Sequence, residues 1–276
     1  MLTKKLPVYY DSSKRRIPLI AEFRELMRYR ELLMLLIANS IKTRYKRSAL
    51  GVLWTMLNPL LYMSVMVIAF STIFRFTIPH YPVYLLAGLI AWNFFSQTTT
   101  QAMNNLIWGG SLLKKIYLPR TIFAVAAVGN GVINLLLACI PLIIIMLCTG
   151  QPIYAAWWFL PVAILILSAV SLGVALIVSM IAVFFADILE LYQVLLQALF
   201  YLTPVMYPES ILPHTIQRLM LFNPVYDVVK IFRTPIYNGH LPSILSLSAG
   251  LIAAFLVLLV GWWFFTRKAD QIAYRI

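Results

Sequence analysis

Acidic residues are scarce in this chain, with nine Asp and Glu against 22 Lys and Arg in 276 residues. Charge of either sign makes up 11% of the sequence, where a soluble domain carries about 25%. What charge exists is also absent in blocks. No Asp, Glu, Lys or Arg occurs from Ser48 to Phe74, from Phe76 to Leu113, from Thr121 to Ala186, or from Thr234 to Thr266. Each block can hold at least one bilayer-crossing helix of about 20 residues. Together with a hydrophobic content of 62%, this excludes a soluble core and leaves an all-α integral membrane protein.

Other absences narrow the chemistry. The two cysteines, Cys139 and Cys148, lie in or at the end of one apolar run and give neither a disulfide framework nor a metal spacing. No Gly-rich phosphate loop ending in Gly-Lys-Ser/Thr occurs, so the chain is not expected to hydrolyse ATP itself. His80, His214 and His240 are isolated, and no His-Glu-x-x-His run is present. Asp187 and Glu190 sit at a turn, as a helix start or a partner contact rather than an acid/base pair. Ion-coupled carriers need ionisable groups near the bilayer midplane, where each is costly. None is placed there, so energy for active transport is expected from another subunit. No catalytic residue, metal or cofactor is expected in this chain.

The charge that is present is placed unevenly. Twelve of the 22 Lys and Arg precede residue 48, ahead of the first expected span. The chain's net charge of +13, with over half of its basic residues placed there, fits a membrane surface and topological signalling better than nucleic acid. Within the tail of residues 1–48, residues 19–37 alternate apolar and charged positions at three- and four-residue spacing. Leu19, Phe23, Leu26, Met27, Leu33 and Ile37 form one side; Glu22, Arg24, Glu25, Arg28 and Glu31 fill the other. This predicts an amphipathic helix in the interface. No signal peptide is visible, and the N-terminus is expected inside.

Six spans are predicted within residues 49–266, at about 50–74, 83–104, 122–147, 157–185, 191–207 and 244–265. Pro59 is expected to kink the first. Residues 105–120 form a basic break, and 208–242 a proline-rich one whose short apolar pieces suit re-entrant or interfacial helices. Residues 267–276 form a tail. With both termini inside, 18 Lys and Arg lie on that side and four on the other, in accord with the positive-inside bias.

Four stretches carry a resemblance. They are Arg44-Tyr45-Lys46-Arg47-Ser48-Ala49-Leu50-Gly51-Val52-Leu53-Trp54 with Asn58-Pro59-Leu60; Lys114-Lys115-Ile116-Tyr117-Leu118-Pro119-Arg120; Leu202-Thr203-Pro204-Val205-Met206-Tyr207-Pro208; and Asn223-Pro224-Val225 followed by Phe232-Arg233. In this order they resemble the membrane subunits of polysaccharide ABC exporters, the ABC-2 type permeases that export O-antigen, wall teichoic acid or capsule. The resemblance implies a homodimer of six-span subunits in the bacterial cytoplasmic membrane. Two separate ATPase subunits would hold ATP and Mg, and the substrate would be a glycan on an undecaprenyl pyrophosphate carrier. It also implies that spans one and five meet across the dimer axis.

Site residues follow as expectations. Arg44, Lys46 and Arg47 are expected to hold a lipid-linked pyrophosphate, unless they serve only as positive-inside residues. Ser111, Lys114, Lys115 and Arg120, beside the 19–37 helix, are expected to dock the ATPase, unless they bind lipid phosphates. Sugar hydroxyls cannot cross lipid unpaired. Tyr62, Phe70, Phe200 and Tyr207 are expected to line an aromatic conduit, with core packing as the alternative. Arg218, Asp227, Lys230 and Arg233 are expected at the rim of an outer gate. Open alternatives are export of a drug or small lipid, an intramembrane glycosyl- or acyltransferase, and a pore or scaffold without an ATPase.

Overall fold

The computed structural model describes residues 18–46, 50–73, 78–109, 118–220 and 223–275, and all regular structure among them is helical. Ten α-helices follow in order: α1 (Pro18–Arg28), α2 (Arg30–Tyr45), α3 (Leu53–Ile73), α4 (Tyr81–Trp108), α5 (Ile122–Thr149), α6 (Leu160–Phe184), α7 (Ile188–Leu202), α8 (His214–Met220), α9 (Pro224–Arg233) and α10 (Ile244–Arg275). The amphipathic segment is thus two helices, parted at Tyr29, and α3 runs through Pro59 as one helix.

Local chemistry sets the ends. Pro82 enters the first turn of α4, where its missing N–H costs nothing. Helix α5 stops at Gly150, whose φ of +72° suits glycine. The Gln151 N–H then reaches back to the Met146 carbonyl (2.9 Å), closing the helix end in a six-to-one bond. Asn223 caps α9 by accepting from the Val225 N–H at 3.0 Å.

Helices long and apolar enough to cross a bilayer lie at Leu53–Phe70, Ile122–Thr149, Ala155–Phe184 and Ile244–Lys268. Two expected spans fall short of that standard for different reasons. Helix α7 has 15 residues, about 22 Å at 1.5 Å each, against a hydrocarbon core of about 30 Å. Helix α4 has 28 uncharged residues, long enough to cross, but amides and hydroxyls crowd its second half.

Helix α4 is the centre of the bundle. Its first half is almost wholly buried, with Leu85, Leu86, Ala87, Ile90 and Phe95 inside a core shared with α5, α6 and α9. Helices α6 and α10 pack backbone to backbone. A Cβ on Gly173 would lie 2.5 Å from the Val257 carbonyl oxygen, and one on Gly261 would strike the Gly173 carbonyl. Small residues at such a crossing let two membrane helices gain close van der Waals contact.

Candidate functional site

Helix α4 carries Asn93, Gln97 and Gln101 at successive i,i+4 positions, with Asn104 three residues on. That spacing puts the four amides on one face. Three cavities open along this face. The first, about 380 Å³, lies between α3, α4 and α5, with Asn58, Asn93, Gln97, Gln101 and Asn134 in its walls. The second, about 340 Å³, lies between α3, α4 and α7 and shares Asn58 and Asn93 while adding Gln197. The third, about 600 Å³, shares Gln97 and Gln101 with the first and is flanked by Asn104 and Gln193. Shared walls make them one branched groove, and no lining residue is charged. Neutral amides both donate and accept, so such a surface binds hydroxyls and water without requiring a counter-charge.

Around the groove, buried hydrogen bonds fix the helices. Tyr192 on α7 donates to the Thr99 hydroxyl at 2.8 Å, and Asn130 on α5 donates from Nδ2 to Gln101 Oε1 at 3.0 Å. Thr98 Oγ1 and Asn130 Oδ1 are buried without a partner among the described residues.

The expected aromatic conduit divides. Tyr62 and Phe200 meet edge to face, ring centroids 6.3 Å apart, in the wall of the second cavity, and Phe200 also leans on Trp92 at 5.3 Å. Phe70 packs half-buried on the hydrophobic core instead. Tyr207 donates its hydroxyl to the Tyr201 carbonyl at 2.7 Å. Neither Phe70 nor Tyr207 lines the three cavities. The polar wall was the feature missed at the sequence level. Its signal is the i,i+4 run of amides inside a charge-free block.

At the proline-rich end, two of the sequence stretches with a family resemblance meet. Arg233 donates from Nη1 to the Pro204 carbonyl (2.9 Å), and its guanidinium lies 4.0 Å from the centroid of the Tyr84 ring. Asn223 donates to the Thr203 hydroxyl (3.1 Å), while Tyr81 and Tyr84 donate to the Met206 and Tyr207 carbonyls (2.7 and 3.0 Å). Arg233 and Asp227, expected at a rim, are buried: the Thr203–Pro208 turn needs donors, and Arg233 supplies one. Lys230 does reach the surface, paired with Glu209 at 2.9 Å. Burial raises the Asp227 carboxyl from 3.8 to about 6, with Lys230 opposing the shift and Glu209 adding to it.

At the opposite end, Glu22 departs from its expected polar face. It is buried, and accepts from the Thr121 N–H (3.4 Å) and hydroxyl (3.1 Å), holding α1 against the start of α5. Lys46 is exposed and Arg120 half-buried. Arg47, Ser111, Lys114 and Lys115 lie outside the described residues, as do the side chains of Arg44 and Arg218.

Residues 31–237 match the family model for the ABC-2 type transporter. The chain belongs to the ABC-2 type transporter family. Its relatives include the "O-antigen export system permease protein RfbA" of Myxococcus xanthus, 33% identical over 92% of this chain and 98% of the relative. A protein of the same name from Klebsiella pneumoniae is 29% identical over 76% of this chain and 82% of the relative. The "Polysialic acid transport protein KpsM" of Escherichia coli is 24% identical over 82% of this chain and 89% of the relative. The family stretch includes all of α3 to α9 and so contains the whole groove.

Proposed function

We infer that this ABC-2 protein is the membrane subunit of an ATP-driven exporter that moves a lipid-linked polysaccharide, such as O-antigen, across the bacterial cytoplasmic membrane. The carrying observation is the groove: a row of neutral amides along α4, among aromatic and aliphatic side chains, with no charged residue in its walls. A hydroxyl-rich chain can exchange hydrogen bonds with amides as it advances, without the trap that a buried charge would set. The names of the relatives support the same substrate class.

In this reading two copies pair with two separate ATPase subunits, which bind ATP and Mg. Exposed apolar residues on α3 (Leu61, Val65, Ile68) and α7 (Leu191, Val194, Leu195) support a dimer built on those helices. Six crossings, with α4 covered by neighbouring helices and α7 by the second copy, keep both termini inside, in line with the placement of Lys and Arg. Arg44, Lys46 and Arg47 hold the carrier's pyrophosphate. Ser111, Lys114, Lys115 and Arg120 meet the ATPase, with α1 held through Glu22 to Thr121, next to Arg120. Tyr62 and Phe200 form the aromatic part of the conduit.

A second reading, export of a small lipid, draws on an apolar cavity of about 470 Å³ between α7 and the α8–α9 segment, walled by residues such as Leu195, Leu199, Leu202, Ile216 and Met220. Deleting the gene separates the two. Polysaccharide export predicts that lipid-linked glycan accumulates on the cytoplasmic face and that surface glycan disappears. Normal surface glycan in the deletion strain refutes it.

A further inference from the structure

Two buried polar atoms beside the groove have no partner among the described residues: one on Thr98, in its wall, and one on Asn130, which lies behind the wall residues Gly131 and Gln101. Thr98 on α4 is 1% exposed, lines the cavity of about 380 Å³, and its Oγ1 makes no hydrogen bond among the described residues. Asn130 on α5 is equally buried. Its amide nitrogen is committed to Gln101 Oε1, and its Oδ1 has no partner among the described residues. An unpartnered buried acceptor or hydroxyl costs folding free energy. Thr98 is the one of the two that lines a cavity, so a ligand in the groove can satisfy it.

The backbone around them keeps the room open. Gly131 follows Asn130, and a Cβ built there would strike Thr98 Oγ1 and come within 3.1 Å of the Phe94 ring. Any larger residue at 131 would occupy the space in front of the hydroxyl. Phe94 also lines the cavity, so an apolar ring edge stands beside the polar atoms. Amides, a hydroxyl and an aromatic edge, with no charge, fit a sugar ring that presents hydroxyls on one side and C–H groups on another.

We propose that Thr98 and Gln101, the latter positioned by Asn130, with the space kept by Gly131, form a binding subsite for the hydroxyls of an uncharged sugar unit in the wall of the groove. The Thr98 hydroxyl donates to or accepts from a sugar hydroxyl in the cavity. The bond from Asn130 fixes Gln101 as the next polar group along α4. This rests on the polysaccharide-export reading and adds the atoms that hold the chain.

The test uses the intact transporter with its copurified ATPase in nanodiscs, and the same variants in a deletion strain. Thr98→Val removes the hydroxyl at nearly constant shape. Because that hydroxyl has no partner among the described residues, the thermal midpoint should stay level or rise. Maltohexaose, a linear neutral oligosaccharide, should bind the variant roughly tenfold more weakly than the parent, and surface polysaccharide should fall. Thr98→Ser should restore both, and Gly131→Ala should reproduce the loss. Parent-like binding and export in Thr98→Val, or no maltohexaose binding by the parent at about 10 mM, overturns the subsite. Failure of the export reading looks different: the deletion strain itself would keep its surface glycan.

Discussion

The two halves of α4 belong to one uncharged helix and serve opposite ends. From Tyr81 to Trp92 its side chains are aromatic and aliphatic, nearly all buried, and its tyrosine hydroxyls are spent on the Met206 and Tyr207 carbonyls. From Asn93 to Asn105 it carries amides and hydroxyls, and several of these face cavities rather than partners. Where polar groups are satisfied internally, they hold the fold; where they are left open in an apolar bundle, they are kept for something that arrives. Substitutions in the two halves should therefore divide between loss of stability and loss of transport.

The largest loss of stability is expected at Arg233. Replacing it with Ala strips the Pro204 carbonyl of its donor and the Tyr84 ring of its cation, at a cost of about 2–3 kcal/mol. The thermal midpoint should fall, and protease should cut within the Thr203–Pro208 turn before it cuts elsewhere. Arg233→Lys should recover little, because an ammonium lacks the planar fork that both donates and stacks. An unchanged midpoint and no early cleavage would show that the turn is held by other contacts.

Next in size is a gain at the same end. The Asp227 carboxyl stands at about 6 in the folded protein against 3.8 when free, so the folded state binds more protons between those values. Stability then falls as pH rises from about 4 to 6 and stays lowered above that, by at most about 3 kcal/mol. Asp227→Asn should raise the thermal midpoint at pH 7.5 and leave it level at pH 4. Equal gains at both pH values would mean that packing, not charge, is being relieved.

Smaller still is the clasp at Glu22. Glu22→Leu leaves the Thr121 N–H and hydroxyl without their acceptor and should cost about 1–2 kcal/mol, while Glu22→Gln should cost less because one oxygen remains. Hydrogen exchange at the first turn of α5 reads this directly, and parent-like protection in Glu22→Leu would exclude the clasp.

How far these features were legible in the sequence follows from what hydropathy can encode. Charge-free blocks and Pro or Gly breaks located the long helices, because a bilayer-crossing segment must be apolar and must end. The stretches that contain Thr203, Pro204, Asn223 and Arg233 stand out in the sequence as family-like, but their pairing is visible only in the structure. Charge is usually exposed, so the sequence places Glu22 on a polar helix face and Arg233 at the rim of a gate. Nothing local announces that a buried backbone needs an acceptor at Thr121 or a donor at Pro204. The groove was hidden for another reason. In a membrane helix both the lipid face and the core face are apolar, so the amphipathic signal that orients a soluble helix is weak. The amides of α4 were visible, and only packing revealed that Asn93, Gln97 and Gln101 share a cavity with Asn58 and Asn134.

The least change in stability is expected at Gln97, and that is what makes it the sharpest probe of the divided helix. Its side chain is exposed and lines two of the cavities. Gln97→Leu removes an amide from a membrane segment, where amides are disfavoured, and the thermal midpoint should shift by less than about 0.5 kcal/mol equivalent in either direction. Surface polysaccharide should nevertheless drop, because a rung between Asn93 and Gln101 is lost from a path that works by exchanging hydrogen bonds. Tyr62→Ala on the facing helix removes an aromatic wall and leaves that ladder intact. If Tyr62→Ala abolishes export while Gln97→Leu leaves it untouched, the aromatic face carries the chain and the amide row does not. The reverse ranking assigns the path to the polar half of α4.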